Sequence, residues 1–480
     1  MGWVLNQAGM ADAMLQLARP LELQFEDHWD ARQRLEVLLA AMSDLQHPCL
    51  LVIDNANDLS DLEAGYQYLR RCSNFHLLLT TRITHFERAP VCPIGGLPPD
   101  DALALFEQYY RPLPEDERAL FFQIREAVGG NTLVLELLAK NLAVQNKLRQ
   151  RYSLSELLGD LQARGLLQLG RTQTVGTDYQ SKGAMRREKP EDIIAAMYDL
   201  GELPTEETAL LSVFAALPAE KIPFEHLETL LGDEASEEHL LALAQKGWLE
   251  FDESDTSFKC SPVVQEITRL KNPEWEEDCR TLVLELVRKL NSEKIHEDNY
   301  LHSTAFTRYA ETVIAVMNEP DDDVATLCQN IGIFHTATGD IVKALYANQK
   351  MVDIQNALFV KAPDDPDFKN GLAISYSKLG ETHTALGNLD QALTFFENYN
   401  KLEKELYAAY PQNVAFKNGL AISYSKLGSF YRDKKSDSDK ARLYFQQCYA
   451  LWEELSTAFP AYAKFRNNFD WAKEALDGLK

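Results

Sequence analysis

The sequence has little with which to hold a metal, a disulfide or a polyanion. Its seven cysteines, Cys49, Cys72, Cys92, Cys260, Cys279, Cys328 and Cys448, contain no CxxC pair. Neither a zinc knuckle nor a disulfide framework is indicated, and a reducing compartment fits them best. The ten histidines form no HExxH or other paired ligand set, so metal binding by that route is unsupported. No run of about 18 apolar residues is present to cross a bilayer. The N-terminus also lacks the charged and apolar regions of a signal peptide, so a cytoplasmic protein is expected. Cations are scarce. With 48 Lys and Arg against 73 Asp and Glu, the net charge of −25 opposes binding to DNA, RNA or acidic membranes.

What is present is an ordinary globular composition, 45% hydrophobic and 25% charged, over 480 residues. That length suggests three or four domains, each able to bury its own core. The acidity is uneven. Residues 1–321 carry 53 acidic and 30 basic side chains, a net of −23, whereas 322–480 carry 20 and 18, a net of −2.

The strongest internal signal lies in the nearly neutral part. FKNGLAISYSKLG occurs at 368–380 and again, unchanged, at 416–428, a period of 48. Gly332, Gly339 and Ala344 precede Gly380, Gly387 and Ala392 by the same 48, while Ala441, Pro460 and Phe465 follow Ala392, Pro411 and Phe416 by 49. The extra residue falls in the polar stretch 434–439. Tyr376, Leu379, Gly380, Ala392 and Phe396 have the relative spacing of the tetratricopeptide repeat, which this third resembles, although the usual unit is about 34 residues long. Paired antiparallel helices are expected over 322–480, with Gly332, Gly380, Gly428, Ala344, Ala392 and Ala441 at close crossings.

Upstream, 171–190 is polar, poor in large apolar residues, and contains Gly176, Gly183 and Pro190, so a linker is expected there. Helical patterns follow at 206–216, 224–231 and 237–246. Two strands flanking a turn at 253–257 complete the order of a winged helix. Its third helix begins Glu237, Glu238, His239 and its wing holds Asp252, Glu253 and Asp255, so groove binding to DNA is contradicted by charge.

In the first third, CLLVIDN at 49–55 reads as a buried parallel strand presenting Asp54 at its C-terminal edge, where a carboxylate can orient Mg²⁺ on nucleotide phosphates. FHLLLTTR at 75–82 reads as a second strand ending in two hydroxyls and Arg82. GGNTLVLELL at 129–138 opens an apolar helix with a glycine pair. In this order, and followed by the winged-helix and repeat patterns, these segments resemble the STAND signalling ATPases, the class that includes NB-ARC and NACHT proteins. The resemblance implies that Asp54 orients magnesium, that Arg82 senses the terminal phosphate, and that Gly130 and Asn131 open a helix near the adenine. Ser261 falls where the family often places a histidine against the ADP phosphates. Asn55 at the second acidic position cannot take a proton from water, which argues against fast hydrolysis. Thr132 stands where many members have proline. No GxxxxGK[ST] occurs anywhere, so the loop that cradles phosphates, and its lysine, are missing.

The expected architecture is multidomain. A partial α/β P-loop-type nucleotide-binding core (1–97) precedes a helical domain (98–170), the linker (171–190), a winged-helix domain (191–272), a helical connector (273–321) and an all-α tetratricopeptide-like solenoid (322–480). The resemblance implies a nucleotide-regulated switch whose repeats recognise a protein trigger, with ATP or ADP and Mg²⁺ as family cofactors, none expected to be bound in this chain, and homo-oligomer formation on activation. Neither nucleic acid nor membrane is an expected partner. The alternative is an interaction scaffold with a vestigial nucleotide domain.

Overall fold

The computed structural model describes residues 2–479 except 7, 8, 27, 72, 73, 84, 85, 93, 148, 150, 170, 182, 183, 197, 199 and 292–299. Cys72 and Gly183 therefore lie outside the described residues. The remaining six cysteines are free thiols. Among the described residues no helix is long and apolar enough to cross a membrane. The chain is mostly helical, with a small parallel sheet, and divides into two units. One comprises Met1–Ala215 with Ala219–Asp278, the other Ala216–Pro218 with Cys279–Lys480.

The first unit opens with β1 (Gly2–Leu5), α1 (Met10–Leu15), α2 (Ala31–Ser43), β2 (Cys49–Asp54), α3 (Leu59–Leu69) and β3 (Phe75–Leu79). The strands form a parallel sheet in the order β1-β2-β3. Leu51 and Ile53 of β2 are fully buried and share a core with Met14, Leu38 and Met42 from the helices. Such burial is why β2 reads as a continuous apolar run. The second strand expected over 75–82 stops at Leu79. Beyond it the Thr80 amide still donates to the Ile53 carbonyl at 3.0 Å and its carbonyl accepts the Ala56 amide at 2.9 Å, while the Thr80 and Thr81 hydroxyls donate to the Asp54 carboxylate and the Ala56 carbonyl.

Four helices follow: α4 (Pro99–Tyr109), α5 (Glu115–Ala127), α6 (Thr132–Gln145) and α7 (Leu154–Arg164). Their core is built on Phe106, Phe121, Leu135 and Leu138. The segment expected to be a linker instead contains a hairpin, β4 (Val175–Ser181) paired antiparallel with β5 (Ala184–Glu188). β-branched and aromatic residues such as Val175, Thr177 and Tyr179 favour extended pairing. The segment is also tied down at its start. Asn141 on α6 donates to the Arg171 carbonyl at 3.1 Å and accepts from the Gln173 amide at 2.9 Å, and Val175 is buried.

The unit ends with α8 (Pro190–Ala195), α9 (Thr205–Ala216), β6 (Ile222–Pro223), α10 (Phe224–Leu231), α11 (Glu237–Gln245), β7 (Leu249–Asp252), β8 (Ser257–Cys260), α12 (Pro262–Lys271) and α13 (Trp275–Asp278). The strands form an antiparallel sheet in the order β6-β8-β7.

The second unit contains α14 (Arg280–Lys289), α15 (Tyr300–Val316), α16 (Asp322–Thr338), α17 (Ile341–Lys361), α18 (Pro366–Ala385), α19 (Leu389–Ala409), α20 (Val414–Asp433), α21 (Ser438–Ala458) and α22 (Ala463–Asp477). From α16 onward each helix packs on its successor. The caps are local: Asp321, Asp340, Asp365, Asn413 and Asp437 each accept a first-turn amide. Gly339 and Gly387, at φ +84° and +79°, lie in the left-handed region in the turns that follow α16 and α18.

Ala344, Ala392 and Ala441 are fully buried. A Cβ on Gly332, Gly380 or Gly428 would stand 2.3 Å from Asn348, 2.8 Å from Phe396 or 2.5 Å from Phe445. A second row, not anticipated from the sequence, joins successive pairs. Gly371 meets Gln355, and Gly419 meets Glu403, with a virtual Cβ at 2.3 and 2.4 Å. Gly380→Leu is expected to cost 2 kcal/mol or more, roughly the upper part of the overpacking range. A variant melting with the parent would show that Phe396 can retreat.

Glu403 is 1% exposed, and its Oε2 has no hydrogen-bond partner. Burial pushes its carboxyl up to about 8 from the ordinary 4.5. A raised carboxyl favours folding while protonated. Its contribution is complete below the unfolded value and is lost as pH climbs from about 4.5 to about 8. Glu403→Gln should therefore stabilise the chain by about 2–3 kcal/mol at pH 7 and flatten the pH dependence of melting across that window. Parallel pH profiles for the two proteins would contradict it.

Candidate functional site

The helices α5 and α6 are joined by Val128, Gly129, Gly130 and Asn131. Turning between them in so few residues requires two successive left-handed positions, and Gly129 and Gly130 supply them at φ +62° and +68°. The Gly129 amide donates to the Glu126 carbonyl and the Gly130 amide to that of Arg125, closing α5. Asn131 then caps α6 by accepting from the Val134 amide at 3.1 Å. Ser261 performs the same task on α12, accepting from the Val264 amide at 3.3 Å. The two helix starts meet: a Cβ on Gly129 would stand 2.8 Å from Pro262 Cδ.

Around these starts lies an open cleft of about 420 Å³. Gly130, Asn131 and Ser261 all line it, brought together from segments some 130 residues apart. Two helix N-termini there favour negative charge. Lys259 adds a cation, shared across the β7–β8 pair with Glu250 at 3.4 Å. Tyr198 and Trp248 supply aromatic surface, with ring centroids 5.5 Å apart. Gly95 and Gly96 complete a wall, where a Cβ on Gly96 would stand 3.2 Å from the Gly130 carbonyl oxygen. The arrangement suits an anion attached to a flat ring.

Asp54 and Arg82 are not among the cleft residues. Asp54 ends β2 with its carboxylate accepting from the Thr80 hydroxyl. Asn55 is left-handed at φ +67°, a conformation asparagine tolerates better than most residues. Its amide donates to Thr80 Oγ1 at 3.1 Å and its side chain to the Asn6 carbonyl at 3.2 Å, tying β1, β2 and β3 together. The Arg82 guanidinium stacks over Tyr198 at 5.4 Å and Trp248 at 5.6 Å. Its amide donates to Asn57 Oδ1 at 2.8 Å, and Gly247 approaches so closely that a Cβ would stand 2.5 Å from the Arg82 carbonyl oxygen. Arg82 is thus a clasp behind the cleft's aromatic wall. Among the described residues no group of three His, Cys, Asp or Glu could hold a metal ion.

The sequence offers no local sign of Tyr198, Trp248 or Glu250 in this role. Asp61 is likewise hidden: from α3 it accepts the Met10 amide at 2.8 Å and Asn6 Nδ2 at 3.0 Å, holding the loop after β1.

No family model matches the chain, and no curated protein matches it. Among solved structures, the chain is similar to a Signal Transduction ATPase with Numerous Domains (STAND) protein with a tetratricopeptide repeat sensor from Pyrococcus horikoshii. That match has 16% identity, covers 99% of this chain and 74% of that one, and has a TM-score of 0.23. It is also similar to BtubC from P. vanneervenii, at 15% identity over 45% of this chain and 84% of that one, with a TM-score of 0.27. At these scores neither likeness carries an argument.

Removing Arg82 should be felt through the aromatic pair. Arg82→Ala is expected to cost about 1–2 kcal/mol, two cation–π contacts at about 0.5–1 kcal/mol each, and Arg82→Lys less. Equal stability of all three proteins would put the guanidinium in solvent.

Proposed function

We propose that this protein is a nucleotide-regulated switch of the STAND type, in which the cleft takes an adenine nucleotide and the repeat array takes a protein trigger. The convergence of Gly130, Asn131 and Ser261 with Lys259 in one cleft carries this reading. The amides of the first turns of α6 and α12, together with Lys259, would meet phosphate oxygens, while Tyr198 and Trp248 offer faces for the base. The trigger would act by binding one conformation more tightly than another, releasing an inhibited state and permitting self-association. Turnover is not the purpose, because Asn55 serves as a left-handed joint and cannot act as a base.

A scaffold with a vestigial nucleotide domain is the second reading. Two observations favour it: Asp54 is bonded to Thr80 and Arg82 is stacked on aromatics, so neither is among the residues that line the cleft.

Without a GxxxxGK[ST] loop in the sequence, ADP should bind weakly, beyond roughly 100 μM. At millimolar ADP, some twenty-five-fold over such a constant, stabilisation is about 2 kcal/mol, a rise of a few degrees in melting temperature. Lys259→Glu should abolish the rise. Absence of any ADP-dependent shift in the parent would favour the scaffold.

A further inference from the structure

Residues 191–278 contain 22 acidic and 5 basic side chains, so these 88 positions hold −17 of the chain's −25. All five cations are engaged within the same segment or its flank. Lys221 pairs with Asp252 and Asp255, Lys246 with Glu207 and Lys259 with Glu250, while Arg269 and Lys271 donate to the carbonyls of Ala215 and Tyr198. The segment therefore keeps 17 more acidic than basic side chains, with three of its lysines already in ion pairs.

Within this acidic region α9, the end of α10 and the start of α11 surround a pocket of about 260 Å³. Its floor is apolar, formed by Leu210, Val213 and Leu231, and its rim carries Glu206, Asp233 and Glu234. The volume lies below the ~300–1,000 Å³ of typical small-ligand sites and suits one or two large apolar side chains. An apolar socket ringed by carboxylates discriminates by both terms. Burying an aliphatic or aromatic side chain supplies affinity, and flanking cations on the same segment supply attraction and orientation.

We propose that this pocket docks a basic amphipathic segment of a protein partner, with an apolar side chain of that segment in the socket and lysines or arginines against the rim. The surface is distinct from both the cleft and the repeat array, and the inference does not rest on nucleotide binding. Charge complementarity decides the occupant, since an acidic rim repels nucleic acid and acidic lipid alike.

The test uses the full chain and a fluorescein-labelled amphipathic helical peptide of lysine and leucine, read by anisotropy. Micromolar, salt-sensitive binding is expected, with a Lys/Ser peptide of equal charge at least about tenfold weaker. Ala209→Trp, which fills the socket, should weaken the Lys/Leu peptide about tenfold. So should Asp233→Lys with Glu234→Lys, both at exposed positions. Glu115→Lys with Asp116→Lys on α5 makes the same charge change elsewhere and should leave binding within about twofold. Equal binding of the Lys/Leu and Lys/Ser peptides would overturn the proposal. It would equally fall if the α5 variant weakened binding as much as the rim variant, because net charge rather than the pocket would then be the receptor.

Discussion

Both units depend on one constraint, that certain backbones approach closer than a methyl group permits. In the repeats, Gly332, Gly380 and Gly428 let the two helices of a pair touch through Asn348, Phe396 and Phe445, and Gly371 and Gly419 do the same between pairs. In the first unit Gly129 allows the starts of α6 and α12 to meet, and Gly247 allows β7 to lie against the Arg82 carbonyl. At the cleft the close approach positions polar groups. In the repeats it brings buried side chains into contact and sets the spacing of the layers.

How much of this was legible in the sequence varies with the range of the interaction. The exact repeat of thirteen residues exposes its helices and the glycines at its crossings, because packing at a fixed period leaves a periodic trace. β2 is visible as an apolar run, since burial on both faces leaves no alternation. The glycine pair before Asn131 likewise marks a helix start, whereas the cap that Ser261 makes on α12 was not read from the sequence. The partner of Arg82 could not be read, because Tyr198 and Trp248 lie more than a hundred residues away and an arginine at a strand end looks alike whether it meets a phosphate or an indole. The hairpin at 175–188 was missed for a different reason: the segment is polar, and it is tied down by Asn141, which bonds Arg171 and Gln173 from a helix outside it.

Glu403 occupies the position of Gln355 in the preceding repeat, each filling the space left by a glycine on the next helix. A carboxyl kept protonated by burial is nearly isosteric with the amide, so the two layers share a geometry while only one responds to pH.

Identity between neighbouring segments also raises a question of bookkeeping during folding. α18 and α20 share FKNGLAISYSKLG, so nothing within those thirteen residues tells α17 and α19 which of them to accept. The discrimination lies just beyond. On α17, Asn348 donates to Thr382 of α18 at 2.8 Å in a buried site, whereas on α19 the equivalent Phe396 meets Phe430 of α20 edge to face at 5.7 Å. Exchanging the two helices would press Phe430 on an unsatisfied amide and a threonine hydroxyl on a phenyl ring, with about 1–3 kcal/mol lost at the stranded amide alone. A single polar pair beside a single aromatic pair thus acts as a key against shuffling of otherwise interchangeable layers.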